Sequence, residues 1–89
     1  TQTQTRELAY GEQREHEKIV RRAKKKMDEA ESEVSRLEQE VADIESIIST
    51  GSFPSDIYDR HAATTKQLEN AMSLWELATL EYEEINSTK

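Results

Sequence analysis

From Val20 to Ile48 the apolar residues fall at Val20, Ala23, Met27, Ala30, Val34, Leu37, Val41, Ile44 and Ile48, in alternating steps of three and four. This is a heptad, with a positions at Val20, Met27, Val34, Val41 and Ile48 and d positions at Ala23, Ala30, Leu37 and Ile44. Four unbroken heptads predict a long helix with one narrow apolar seam, because a helix brings such a repeat onto a single face. Charged residues make up 35% of the 89-residue chain and apolar residues 34%, a balance at which many chains stay disordered. A disordered chain has no reason to keep heptad spacing, so the seam decides for order.

The seam stops at Ser49-Thr50-Gly51-Ser52-Phe53-Pro54-Ser55. Gly51 suits the left-handed position after a helix, and Pro54 cannot continue one. Ser55 is expected to cap a second helix, with Asp56 and Asp59 near its positive end and Phe53 lying over Ile48 and Ile57. Downstream, His61, Leu68, Trp75 and Tyr82 recur every seventh residue, interleaved by Thr64, Ala71, Ala78 and Ile85. A connection this short makes neighbouring helices antiparallel.

The expected fold is all-α: a two-helix antiparallel coiled-coil hairpin with a short N-terminal extension. Its divisions are a linker or extension at 1–11, a first helix at 12–49, a tip at 50–55, a second helix at 56–86 and a frayed tail at 87–89. Folding about the tip sets Leu37 against Leu68, Val34 against Ala71 and Met27 against Ala78. The bulky Trp75 and Tyr82 then meet Ala30 and Ala23, the matching of large to small that close packing requires. On the flank, Lys26 falls near Glu81.

Composition narrows the chemistry. Cysteine is absent, which removes disulfides, thiolate catalysis and cysteine metal sites. His16 and His61 lack metal-ligand spacing and lie far apart in the hairpin, so no metal site is expected. Abundant Glu and Asp read as the solvated faces of a coiled coil, since a catalytic carboxylate pair needs a cleft that separates their pKa values. With no phosphate loop and no nucleophile motif, the domain by itself is expected to be non-catalytic, with no cofactor and no small-molecule substrate. No apolar run is long enough to span a bilayer and no secretory signal opens the chain. The chain lacks an initiator Met and is expected to be a fragment or a processed product.

Charge is unevenly placed. The net charge is −7, yet residues 1–27 hold eight basic and four acidic groups while residues 28–89 hold four and fifteen. Half of the cations cluster at Lys18, Arg21, Arg22, Lys24, Lys25 and Lys26. A basic run on a helix can follow a phosphate backbone, with Arg21, Arg22 and Lys25 the best placed for it. The alternative is an electrostatic zipper, because the run also lies beside Glu76, Glu81, Glu83 and Glu84. Both readings stay open at this point.

Leu77 and Leu80 point away from the seam and Leu74 sits on its flank, at about 100° of rotation per residue. These three leucines form a candidate docking face for a third element. Leu8-Ala9-Tyr10, folded back, or another domain could supply it.

The opening Leu8-Ala9-Tyr10-Gly11-Glu12-Gln13-Arg14-Glu15 resembles the Leu-Ser-Tyr-Lys-Glu-x-Arg-Glu start of the C-terminal domain of ABC-F proteins, soluble members of the ATP-binding cassette superfamily. The Glu-rich helix, the short Pro-containing tip and the returning helix with Trp75-Glu76 and Glu83-Glu84 follow the same plan. Gly11 departs from the family's usual Lys or Ala and is expected to interrupt the helix there. The resemblance implies two upstream ATPase cassettes, which would bind ATP and Mg, and a cytoplasmic protein acting at the ribosome. It also implies that this arm touches ribosome, RNA or DNA, or docks on its own cassettes. No catalytic residue is implied here, since the family's phosphate loops belong to the cassettes. The competing reading is a purely structural protein–protein or oligomerisation module.

Overall fold

In the computed structural model the chain forms two helices, α1 over Gln2–Ser49 and α2 over Ile57–Ser87. The structure describes residues 2–87, with side chains from residue 11 onward. The helices pack along one another as an antiparallel hairpin of 76 × 15 × 14 Å. Among the described residues no helix is long and apolar enough to cross a membrane.

Burial follows the heptads. All nine apolar positions from Val20 to Ile48 are buried or half-buried, and so are Ile57, His61, Thr64, Leu68, Ala71, Trp75, Ala78, Tyr82 and Ile85 on α2. At mid-hairpin Val34, Leu37 and Ala71 form a buried cluster with Leu68 and Trp75 packed against it, which is the register expected from the pairing of Leu37 with Leu68. Ala23, Ala71 and Ala78 are all buried, so the small residues that face Tyr82, Val34 and Met27 in that register are inside the seam. Thr64 is buried in the same seam.

The tip closes largely as its residues require. Gly51 takes φ 79°, a conformation that side chains with a Cβ rarely adopt, and its N–H donates to the Ile48 carbonyl at 3.1 Å. In the usual arrangement the next N–H would reach back to the carbonyl of Ile47. Here the Thr50 hydroxyl stands between them. Its Oγ1 lies 2.6 Å from the Ile47 carbonyl, to which it donates, and accepts from Ser52 N–H at 3.3 Å. The Thr50 N–H and the Ser49 hydroxyl donate to the carbonyls of Ile47 and Ser46, so these late carbonyls of α1 are met by local groups.

The expected helix boundaries need correction. Helix α1 begins at Gln2, not at Glu12, and passes through Gly11 without interruption. A helix-interior Gly costs about 1 kcal/mol relative to Ala, too little to break a helix this long. The N-cap of α2 is Asp56 and not Ser55: the Asp56 carbonyl accepts the first α-helical bond, from Arg60 N–H at 3.0 Å, after a tighter turn from Ile57 N–H to Pro54. At the tip Phe53 packs edge-on against Tyr58, with ring centroids 5.5 Å apart, and Ile57 beside Tyr58 in sequence is fully buried. In the expected tail Ser87 belongs to α2, and residues 88 and 89 lie outside the described residues, as does Thr1.

Candidate nucleic-acid and docking surfaces

The basic run wraps around α1: Lys18, Arg21 and Lys25 turn away from the seam, while Arg22 and Lys24 lie towards opposite flanks, about 160° apart. Lys18, Arg21, Arg22, Lys24 and Lys25 are all exposed on α1. An open groove of about 530 Å³ follows this outer face, with Arg21, Lys24 and Lys25 at one end and Glu33 and Arg36 at the other.

The partners of these cations separate them. Lys26 Nζ reaches Glu81 Oε2 across the hairpin at 3.3 Å, as the register requires. Lys18 pairs with Glu15 at 3.6 Å and Lys25 with Glu29 at 4.0 Å, both within α1. Among the described residues Arg21, Arg22 and Lys24 make no ion pair, and neither do Glu76, Glu83 and Glu84. The zipper is therefore a single rung at Glu81. Lys25 is less free than its position suggests, whereas Lys24 is freer.

A small cleft of about 230 Å³ crosses the two helices next to this rung, floored by Ile19, Ala23 and Ile85 and rimmed by Arg22, Lys26 and Glu81. It opens to solvent on the flank of the hairpin and does not enclose a ligand-sized space.

The leucines stand out on α2. Leu74, Leu77 and Leu80 are 64%, 64% and 61% exposed, and they occupy three successive turns. Leu8 and Tyr10, expected to fold back on them, have side chains outside the described residues.

Other groups emerge only from the structure. His61 Nε2 lies 3.1 Å from Glu45 Oε1, a second cross-helix contact near the tip. Arg36 grips Glu33 through both Nε and Nη2, at 3.1 and 2.6 Å, and extends Nη1 to Glu40 at 3.3 Å. The hydrogen bonds and charge of Arg36 hold the Glu33 carboxyl below its usual range, and Glu33 in turn raises the guanidinium. Their spacing of three and four residues is the signal in the sequence that could have found them. His16 continues the α1 seam one step before Val20 and is half-buried, with Nε2 lacking a hydrogen-bond partner among the described residues. No group of three or more His, Asp or Glu among the described residues is arranged to hold a metal ion.

No family model, curated protein or solved structure matches the chain.

Proposed function

We propose that this hairpin is the C-terminal accessory arm of an ABC-F ATPase and contacts a nucleic-acid phosphate backbone, as in ribosomal RNA, through Lys18, Arg21, Arg22, Lys24 and Lys25. The observation that carries the contact is the set of unpaired cations: Arg21, Arg22 and Lys24 are exposed on α1, Arg21 and Lys24 along the outer groove and Arg22 on the flank, without an ion-pair partner among the described residues. Cations engaged in zipping two helices would be occupied by carboxylates, and these are not. Family membership rests on the residues from Leu8 to Glu15 and on Trp75-Glu76. ATP and Mg would then belong to cassettes upstream, and the protein would work in the cytoplasm in translation.

A second reading, docking onto a protein surface, draws on the exposure of Leu74, Leu77 and Leu80. Binding of the chain to RNA or to ribosomes, measured across a salt series, separates the two. The phosphate reading expects affinity to fall with salt and the double variant Arg21→Glu, Arg22→Glu to flatten the log–log slope by about 2. Equal binding by wild type and variant would overturn it.

A further inference from the structure

We propose that the outer face of α2 pairs with the same face of a second copy of this chain, antiparallel, to form a four-helix assembly. The inference rests on the docking reading of Leu74, Leu77 and Leu80 and is independent of the phosphate contact.

Helix α2 carries a second stripe. Asp59, Ala63, Lys66, Asn70, Ser73, Leu77, Leu80 and Glu84 each lie two residues after a seam position, a rotation of about 200° that puts them on the opposite face. All of them are exposed. A helix in a stable two-helix hairpin needs one apolar face, and α2 has apolar residues on two. On the outer stripe they are concentrated at Leu77 and Leu80, with Leu74 beside them.

Charge selects the occupant and its direction. Lys66 ends the stripe on one side of the leucines and Glu84 ends it on the other, about 27 Å away by helical rise. Neither makes an ion pair among the described residues. Laid antiparallel on a second copy, Lys66 of each chain faces Glu84 of the other, giving two equivalent pairs as two-fold symmetry demands. In that register Leu77 lies over Ser73 of the other copy and one residue from its Leu74, Leu80 lies over Asn70, and Leu74 faces Glu76 at the rim. Parallel pairing would set Lys66 on Lys66 and Glu84 on Glu84, an arrangement that like charges oppose.

The leucine patch is small against the roughly 1,200–2,000 Å² of a stable interface. The net charge of −7 per copy and the rim carboxylates Glu69 and Glu76 also oppose association. The expected product is a dissociable dimer, not a permanent one.

Sedimentation equilibrium of the full chain from micromolar to millimolar concentration tests the proposal, with circular dichroism to verify that each variant is folded. The wild type should fit a monomer–dimer equilibrium. Leu77→Glu should raise the dissociation constant by about tenfold or more by placing a charge at the centre. Lys66→Glu alone should raise it about fivefold, and adding Glu84→Lys should bring it back to within about twofold of wild type. A wild type that stays monomeric throughout overturns the proposal, even if it still binds RNA. A dimer indifferent to Leu77→Glu overturns it as well, and so does a charge swap that fails to restore association.

Discussion

Lys26 and Glu81 stand 55 residues apart in sequence and join across the hairpin, Nζ to Oε2, at 3.3 Å. His61 and Glu45 make the corresponding contact near the tip. Two rungs at opposite ends obey one register, so the helices cannot have slipped between them. Neither rung is where the energy lies, because Lys26 and Glu81 are both exposed and such pairs contribute about 0.2–1 kcal/mol. The register is held by the buried seam between the rungs, and the charges penalise its alternatives.

Leu37 is 2% exposed in the mid-hairpin cluster with Val34 and Ala71. Leu37→Ala should cost about 2–4 kcal/mol, read as a lower urea midpoint by circular dichroism. The more specific test exchanges partners. Val34→Ala should destabilise, Ala71→Val should crowd the seam, and the double variant should recover a large part of the combined loss. Strictly additive effects of the two changes would show that Val34 and Ala71 do not share a packing site.

These packing partners are legible in the residue pattern alone, because a heptad names the inward positions and a short tip dictates antiparallel pairing. Lys26 with Glu81 follows from the same construction. The misplaced parts all depend on energies of about 1 kcal/mol, which periodicity does not weigh. The cost of Gly11 is too small to break a helix, although a glycine at this point suggests a break. Ser55 and Asp56 are both good caps, and the choice between them turns on the tight turn that Pro54 begins. The edge-on contact of Phe53 with Tyr58 is one that no heptad position names. Among the candidate surface residues, exposure is legible from helical angle. The local pairing of Lys18 and Lys25 depends on Glu15 and Glu29, which the charge count alone does not place.

At Gly11 a Cβ would meet nothing within 4 Å, and the residue lies inside α1 with no left-handed backbone to protect. Gly11→Ala should therefore stabilise helix α1 by about 0.4–1 kcal/mol by restricting the unfolded chain and raising helix propensity. Hydrogen exchange of the amides flanking Gly11 should slow in the variant. Faster exchange would show that the glycine meets a need the helix does not reveal.

The Thr50 hydroxyl bridges Ser52 N–H to the Ile47 carbonyl, so shape alone cannot replace it. Thr50→Val keeps the volume and removes the bridge, with an expected loss of about 1 kcal/mol, whereas Thr50→Ser should keep most of it. Gly51→Ala should cost about 1–2 kcal/mol through its left-handed φ, although open space surrounds the position. Thermal unfolding of the three variants gives the comparison. A valine variant as stable as wild type would mean that water replaces the hydroxyl without loss.

Arg36 binds Glu33 through two nitrogens and holds its carboxyl below the ordinary value of 4.5. A carboxylate whose pKa is lower in the folded state stabilises the fold above its unfolded pKa, and that contribution disappears as pH falls through the folded value. Arg36→Gln removes the cause, so the stability difference between wild type and variant should be greatest near neutral pH. It should close as acid protonates Glu33, from just below its ordinary value downward. The pair lies on the surface, so the difference will be small and will shrink in high salt. A titration of the Glu33 side-chain carboxyl by NMR gives the sharper reading: its midpoint should lie below the usual range in the wild type and return to it in Arg36→Gln. A midpoint that does not move between the two proteins would show that the guanidinium fork does not persist in solution.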